Sequence, residues 1–276
     1  MLRIDKSIDP FSDTLLVQEG GERYYPTMRL PLERILQSQG FGSRSECRSL
    51  IRGGKVSIRE LVPRDPAQVF ETEGLTFSLH GESWLFRARV YAALHKPLGY
   101  ECSRQSTHHP SVFELFPEPL VRRGLQSAGR LDWDTEGLLL FSDDGEFIHR
   151  LMAPKKKVPK TYRAWVEETV DDRFIRSLRD GVLMRGETGT FACQDCRAID
   201  QNTVELTILE GKYHQVKRMI AAAGNHCAAL RRISVGPLRL EDLKLGAGQW
   251  KYLEPEELEA LGACRTGRFL RAKGTP

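Results

Sequence analysis

Residues 128–147 read AGRLDWDTEGLLLFSDDGEF, an acid-rich loop bounded by Gly129 and Gly137 that runs directly into the apolar stretch Leu138–Phe141. A short apolar run flanked by turn residues is expected to be a buried strand. The loop ahead of it then places the Asp132 carboxylate at the lip of a core, and loops held by a rigid sheet are where reactive groups concentrate. A competing reading is a calcium loop, because Asp132, Asp134, Glu136, Gly137 and Asp143 fall at positions 1, 3, 5, 6 and 12. It is set aside for three reasons. Position 12 lacks the bidentate glutamate, the apolar run is strand-like, and no helix pair flanks the loop.

Outward from this loop, strand-like and helix-like segments interleave. VYAALHKP (90–97), TYRAWV (161–166) and VELTIL (204–209) carry β-branched or aromatic residues beside turn formers and are expected to be strands. VDDRFIRSLRDGV (170–182) and HQVKRMIAAAG (214–224) have helical spacing, with Val216, Met219, Ile220 and Ala223 facing inward. Neither a regular βαβ period nor a Gly-rich phosphate loop is present. The fold class expected is α+β, a mixed and mostly antiparallel sheet flanked by helices.

Two of these segments are basic and aromatic together. Residues 155–163 hold five basic side chains and no acid around Tyr162, an arrangement suited to an unstacked base and its phosphates. Read alone, a tyrosine on a strand is more often core. Glu210-Gly211-Lys212-Tyr213-His214-Gln215-Val216-Lys217-Arg218 opens the later helix, with Lys217 placed to reach a buried carboxylate. Read alone, that segment could be an exposed basic face.

Towards the N-terminus, RLPLERILQSQGFGSRSECRSLIRGGKVSI (29–58) encodes two short helices. Leu32, Ile35 and Leu36 form the apolar stripe of the first, and Gly40 stops it. Ser43 and Glu46 form a capping box for the second, on which Cys47, Leu50 and Ile51 face inward. Arg44, Arg48 and Arg52 recur every four residues on its outer face. Gly53-Gly54 ends it ahead of a short strand that begins at Lys55. Between Arg29 and Arg59 there are seven basic residues against two glutamates, whereas the first 28 residues hold three basic and five acidic ones. The whole chain of 276 residues carries a net charge of only +4. A basic stripe confined to one segment points to a polyanion partner. The alternative is a solvated basic face.

Six cysteines without a framework read as reduced thiols. The single Cys193-Gln-Asp-Cys196 pair has no second pair to complete a zinc site. No signal peptide or membrane-length apolar run is present, so a cytoplasmic protein with no membrane association is expected. The segments expected are an extension over 1–27, a basic polyanion-binding module over 28–87, a larger domain carrying the acidic loop over 88–258 and a basic tail over 259–276. EPEELEAL (254–261) reads as a short acidic helix, and Arg265, Arg268, Arg271 and Lys273 supply the tail's charge.

Residues 28–60 resemble an S4 (alpha-L) RNA-binding domain, departing from its usual Asn/Asp-Gly turn at Arg59-Glu60-Leu61. AGRLDWDTEGLLLFSDDGEF, KTYRAWV and LEGKYHQVKRM, in that order, resemble the motifs of RNA pseudouridine synthases, in the branch that joins an S4 domain to the synthase domain. His95-Lys96-Pro97-Leu98-Gly99-Tyr100 is similar to that branch's opening strand. His109-Pro110-Ser111-Val112, His149-Arg150-Leu151 and Ala223-Gly224-Asn225-His226 look closest to members acting on 16S ribosomal RNA. The resemblance implies Asp132 as the catalytic carboxylate, Tyr162 as the active-site tyrosine and Lys217 as the basic partner of the aspartate. It further implies RNA contacts from Arg130, Lys96, Lys160, His214, Gln215, Arg218, Arg44, Arg48, Arg52 and Lys55. The partner would be ribosomal RNA, 16S in preference to 23S, naked or in a pre-ribosomal particle, and the enzyme a monomer. Moving uracil from an N1 to a C5 bond on the same ribose changes no oxidation state, so neither a cofactor nor a metal is expected.

Overall fold

The computed structural model describes residues 28–262 and, before them, only an antiparallel pair of two-residue strands, Leu16–Val17 and Arg23–Tyr24. The extension expected over 1–27 otherwise lies outside the described residues, as does the basic tail beyond 262. The described residues divide into two compact units, 28–89 with Glu118–Arg123, and 90–117 with 124–262.

In the first unit, β1 (Arg29–Pro31) leads into α1 (Leu32–Ser38), which ends where Gly40 takes φ +86°. A Cβ there would stand 2.0 Å from the Pro119 carbonyl oxygen, so the position requires glycine. α2 (Arg44–Arg52) begins with the expected box: the Ser43 hydroxyl accepts from the Glu46 backbone N–H, and the Glu46 carboxylate accepts from that of Ser43. Such a cap contributes about 1 kcal/mol. β2 (Val56–Ser57), β4 (Thr76–Leu79) and β5 (Glu82–Leu85) form a three-stranded sheet, while β3 (Val69–Glu71) pairs with β1. Leu32, Ile35, Leu36, Cys47 and Ile51 close over Val56, Phe77 and Leu79 as one core. At the unusual turn, the backbones of Ile58 and Leu61 exchange two hydrogen bonds and Arg59 takes a left-handed φ of 54°. The turn closes without glycine. The segment carrying α3 (Glu118–Arg122) is tied to this unit through Arg123, which donates to Gln39 Oε1 and to the Arg87 carbonyl.

The second unit is built on a nine-stranded sheet. Its strands are β6 (Tyr91–Lys96), β7 (Gln126–Ser127), β8 (Thr135–Ser142), β9 (Lys160–Val166), β12 (Asp195–Asp200), β13 (Thr203–Ile208), β14 (Cys227–Val235), β15 (Leu238–Arg239) and β16 (Trp250–Tyr252). A separate hairpin, β10 (Val182–Leu183) with β11 (Thr190–Phe191), lies apart from it. The path runs β12-β13-β9-β14-β8-β6-β16, with β15 beside β14 and β7 beside β8. Among these strands only β8 and β14 pair in parallel. This is the mixed, mostly antiparallel α+β arrangement expected. α4 (Gly145–Met152) and α8 (Pro255–Ala260) place Phe147, Leu151 and Leu258 against Leu138, Leu140 and Val235. Leu261 also joins that core, so packed structure continues past 258. α5 (Asp172–Asp180) and α6 (Gln215–Ala222) arise where helical spacing places them. α7 (Leu240–Leu243) is a single short turn. β14 carries Arg231, Arg232 and Ser234 within an otherwise apolar run, a mixture that leaves little periodic signal in the sequence. Among the described residues, no helix is long and apolar enough to cross a membrane.

Candidate active site

The register of the central strands brings distant residues onto one line. Lys96 on β6 lies opposite Gly137 on β8, which pairs with Arg232 on β14, which pairs with Tyr162 on β9. Gly137 is the gap in this row. Its φ is +117°, and a Cβ would stand 2.2 Å from the Arg232 carbonyl oxygen. Only glycine lets β14 approach this closely.

Just before β8 the acidic loop is fastened on several sides. The Leu131 N–H donates to Cys102 Sγ at 3.4 Å, the Thr135 N–H to the Asp132 carbonyl at 3.0 Å, and the Gly99 N–H to the Trp133 carbonyl at 2.7 Å. Lys96 Nζ donates to the Thr135 carbonyl at 2.8 Å and to that of Pro97 at 2.9 Å. So held, the Asp132 side chain is 30% exposed, reachable yet partly sheltered.

The expected basic partner of Asp132 needs correction. Lys217 Nζ meets Asp134 Oδ1 at 2.5 Å, and the group on Asp132 is His214, whose Nε2 lies 3.1 Å from Oδ1. The reason is helical geometry. His214 sits in a left-handed conformation at the start of α6, so its ring reaches the loop, while Lys217 emerges nearly a turn further along and meets the next acid. Glu136 pairs with Arg231 at 2.5 Å. Each acid of the loop therefore has its own cation or imidazole.

Three residues expected to touch RNA are instead inside. Lys96 is fully buried, and burial pushes its ammonium pKa down, opposed by the surrounding Cys102, Asp132, Asp134 and Glu136. Lys160 donates to the Leu151 and Val158 carbonyls; burial, and secondarily the Arg232 charge, pull it down to about 8. Gln215 is buried, accepting from the Lys212 N–H and donating to Met219 Sδ. Arg218 is half-buried and bound to Glu187 and to the Arg185 and Tyr213 carbonyls. Arg130 is exposed at the mouth of the loop.

Sequence reading misses Arg232. It is 3% exposed; its Nε donates to the Leu138 carbonyl at 2.7 Å and its Nη1 reaches the Tyr162 hydroxyl at 3.5 Å. Its Nη2 is buried without a hydrogen-bond partner among the described residues. A buried guanidinium with an unused donor is costly unless it serves charge at the site. The only signal in the sequence is an Arg-Arg pair inside an otherwise apolar stretch. Tyr162 is 8% exposed under this guanidinium, whose carbon lies 6.0 Å from the ring centroid.

In the first unit, Arg44 and Arg48 share Glu33, with Arg44 Nη2 at 2.6 Å, and the two guanidiniums hold the Glu33 carboxyl down at about 2. Arg44, Arg52 and Lys55 are exposed and Arg48 is half-buried. The calcium-loop positions do not converge, because Asp132 and Asp143 stand at opposite ends of β8 and Asp143 Oδ1 accepts from the Val90 N–H. No cluster of three metal-binding side chains occurs among the described residues.

A sheet carrying a pinned aspartate, a buried tyrosine and a buried arginine defines an enzyme class that comparison with known proteins identifies. Residues 90–222 match the model of the RNA pseudouridylate synthase family. The chain is 35% identical to the ribosomal small subunit pseudouridine synthase A of Pasteurella multocida, over 82% of this chain and 97% of that one. It is 36% identical to an uncharacterized RNA pseudouridine synthase of Bacillus subtilis, over 83% and 97%. A solved pseudouridylate synthase superposes with a TM-score of 0.59 at 33% identity, covering 84% of this chain and 99% of that one. The chain belongs to the RNA pseudouridine synthase family, isomerases that act on uridine in RNA.

Proposed function

We propose that this enzyme isomerises a uridine of 16S ribosomal RNA, with Asp132 as the carboxylate that acts on the nucleotide. The observation that carries the reading is Asp132 itself, partly exposed on a loop fastened by Lys96, Gly99 and Cys102, touched by His214, and leading directly into β8, whose Gly137 joins the row holding Arg232 and Tyr162. The small-subunit assignment rests on the names of the relatives. A large-subunit uridine is the alternative, and a catalytically silent RNA-binding assembly factor the second.

The chemistry required is breakage of N1–C1′, rotation of the uracil and bond formation from C5 to C1′. A flipped uridine costs a few kcal/mol to extract, and stacking on an aromatic face such as Tyr162 returns about 1–3 kcal/mol. Asp132 must meet the nucleotide ionised. His214 stands against it before RNA arrives, and the buried Lys96 supplies positive charge behind the loop. In this reading residues 28–87 form an S4-like module that holds RNA phosphates through Arg52, Lys55 and the Arg44–Arg48 pair.

The test is twofold. Pseudouridine mapping in ribosomal RNA from cells with and without the protein is expected to show one site missing, in 16S RNA. Asp132→Asn is expected to make no detectable pseudouridine there while binding the RNA as wild type does. Product formed at the wild-type rate by the variant would remove Asp132 from the chemistry, and an unchanged map would favour the silent assembly factor.

A further inference from the structure

On the surface around Asp132, two aromatic rings stand exposed, and neither belongs to the core. Trp133, the next residue, is 50% exposed and lies stacked on His109, with centroids 4.5 Å apart and planes inclined by 14°. Tyr213 is 75% exposed and stacked on His214, at 3.8 Å and 20°. His214 also touches Asp132, and Trp133 follows Asp132 in the chain, so both stacked pairs lie next to the residue that carries the carboxylate. Each pair leaves a large aromatic ring exposed and backed by a histidine in the neighbourhood of Asp132. Here each ring is also fixed: His109 and the Trp133–Gly99 backbone bond hold one, and His214 at the start of α6 holds the other.

Rings presented this way match one ligand chemistry, the flat face of an unpaired nucleobase, for which stacking is sequence-tolerant. When a uridine swings out of its strand, both neighbouring bases lose a stacking partner. We propose that Trp133 and Tyr213 are stacking platforms for the two nucleotides that flank the isomerised uridine, so that the enzyme takes an unpaired segment of at least three nucleotides centred on Asp132. The inference rests on the proposed reaction at Asp132 and adds the binding subsites on either side of it. Exposed Arg130 beside the loop complements the phosphates of such a segment.

The probe is the ribosomal RNA fragment whose uridine disappears from the pseudouridine map, made with 2-aminopurine in place of one neighbour or the other. Stacking on an aromatic ring quenches that base. Wild-type enzyme is expected to quench both reporters, Trp133→Ala to lose quenching at one neighbour, and Tyr213→Ala at the other. Each alanine variant is expected to weaken binding by about 5- to 150-fold, the equivalent of stacking one base. Trp133→Phe and Tyr213→Phe, which keep a ring, are expected to restore most of both signals. Quenching and affinity unchanged in the two alanine variants would overturn the proposal, as would phenylalanine variants that fail as completely as alanine. The two readings fail differently. A wild-type enzyme that binds and quenches but makes no pseudouridine in this fragment sinks the assignment of the reaction, whereas full turnover with alanine variants equal to wild type sinks only the platforms.

Discussion

Gly137 carries a structural demand out of proportion to its size. It sits between Lys96 and Arg232 in the cross-strand row, at a φ of +117° and with the Arg232 backbone filling the space a Cβ would need. Gly137→Ala is expected to destabilise the protein by roughly 2–4 kcal/mol, from left-handed strain and a forced separation of β8 and β14. Urea denaturation followed by tryptophan fluorescence measures this, and a cost below about 0.5 kcal/mol, the range of neutral surface changes, would contradict the close approach. Lys160 supplies a pH-dependent test at the same scale. Its folded pKa is pulled from 10.5 down to about 8, so between those values the unfolded chain binds more protons than the native one. Wild type is therefore expected to gain stability relative to Lys160→Met as pH rises from about 8 to about 10.5, by at most about 1.4 kcal/mol per pH unit. Denaturation midpoints of the two proteins across that window are the measurement, and a difference independent of pH would show Lys160 to be solvated.

At the scale of elements, α2 presents its arginines unevenly. Arg44 and Arg48 already share a nearly buried Glu33, while Arg52 and Lys55 are exposed at the helix's end. The last two are expected to carry more of the counterion release. Arg52→Gln with Lys55→Gln is expected to weaken RNA binding and flatten the slope of log affinity against log salt by about 1–2, close to one for each phosphate no longer neutralised. Filter binding across a salt series reads this directly; an unchanged slope would leave α2 as a solvated face. Much of this element was legible in the sequence. Apolar spacing, the Ser43–Glu46 box and the Gly53-Gly54 stop are local signals, and α2 begins and ends where they place it. What they could not reveal was that one of the two glutamates counted against the stripe occupies two of its arginines. That depends on α1 packing beside α2.

Across the whole molecule, the described residues bring no three metal-binding side chains together, and the proposed isomerisation exchanges no electrons. Full turnover in EDTA is the expected outcome in a pseudouridine assay; its abolition, restored by a divalent cation, would mean that a metal takes part. The sequence by itself determined that strands and helices alternate without a βαβ period, that a carboxylate loop feeds a buried strand, and which segments belong to the RNA pseudouridine synthase pattern. The first two follow from periodicity and turn chemistry within a few residues of each other; the last rests on the resemblance of the motifs AGRLDWDTEGLLLFSDDGEF, KTYRAWV and LEGKYHQVKRM to that family. Only the tertiary structure decided that Lys217 serves Asp134 while His214 serves Asp132, that Lys96 and Lys160 are bound to backbone carbonyls inside the core, and that Arg232 stands over the Tyr162 ring. The physical reason is that a lysine or arginine has the same composition whether its charge faces water or a carbonyl. Which it meets is set by the register of strands that lie dozens of residues apart in the chain.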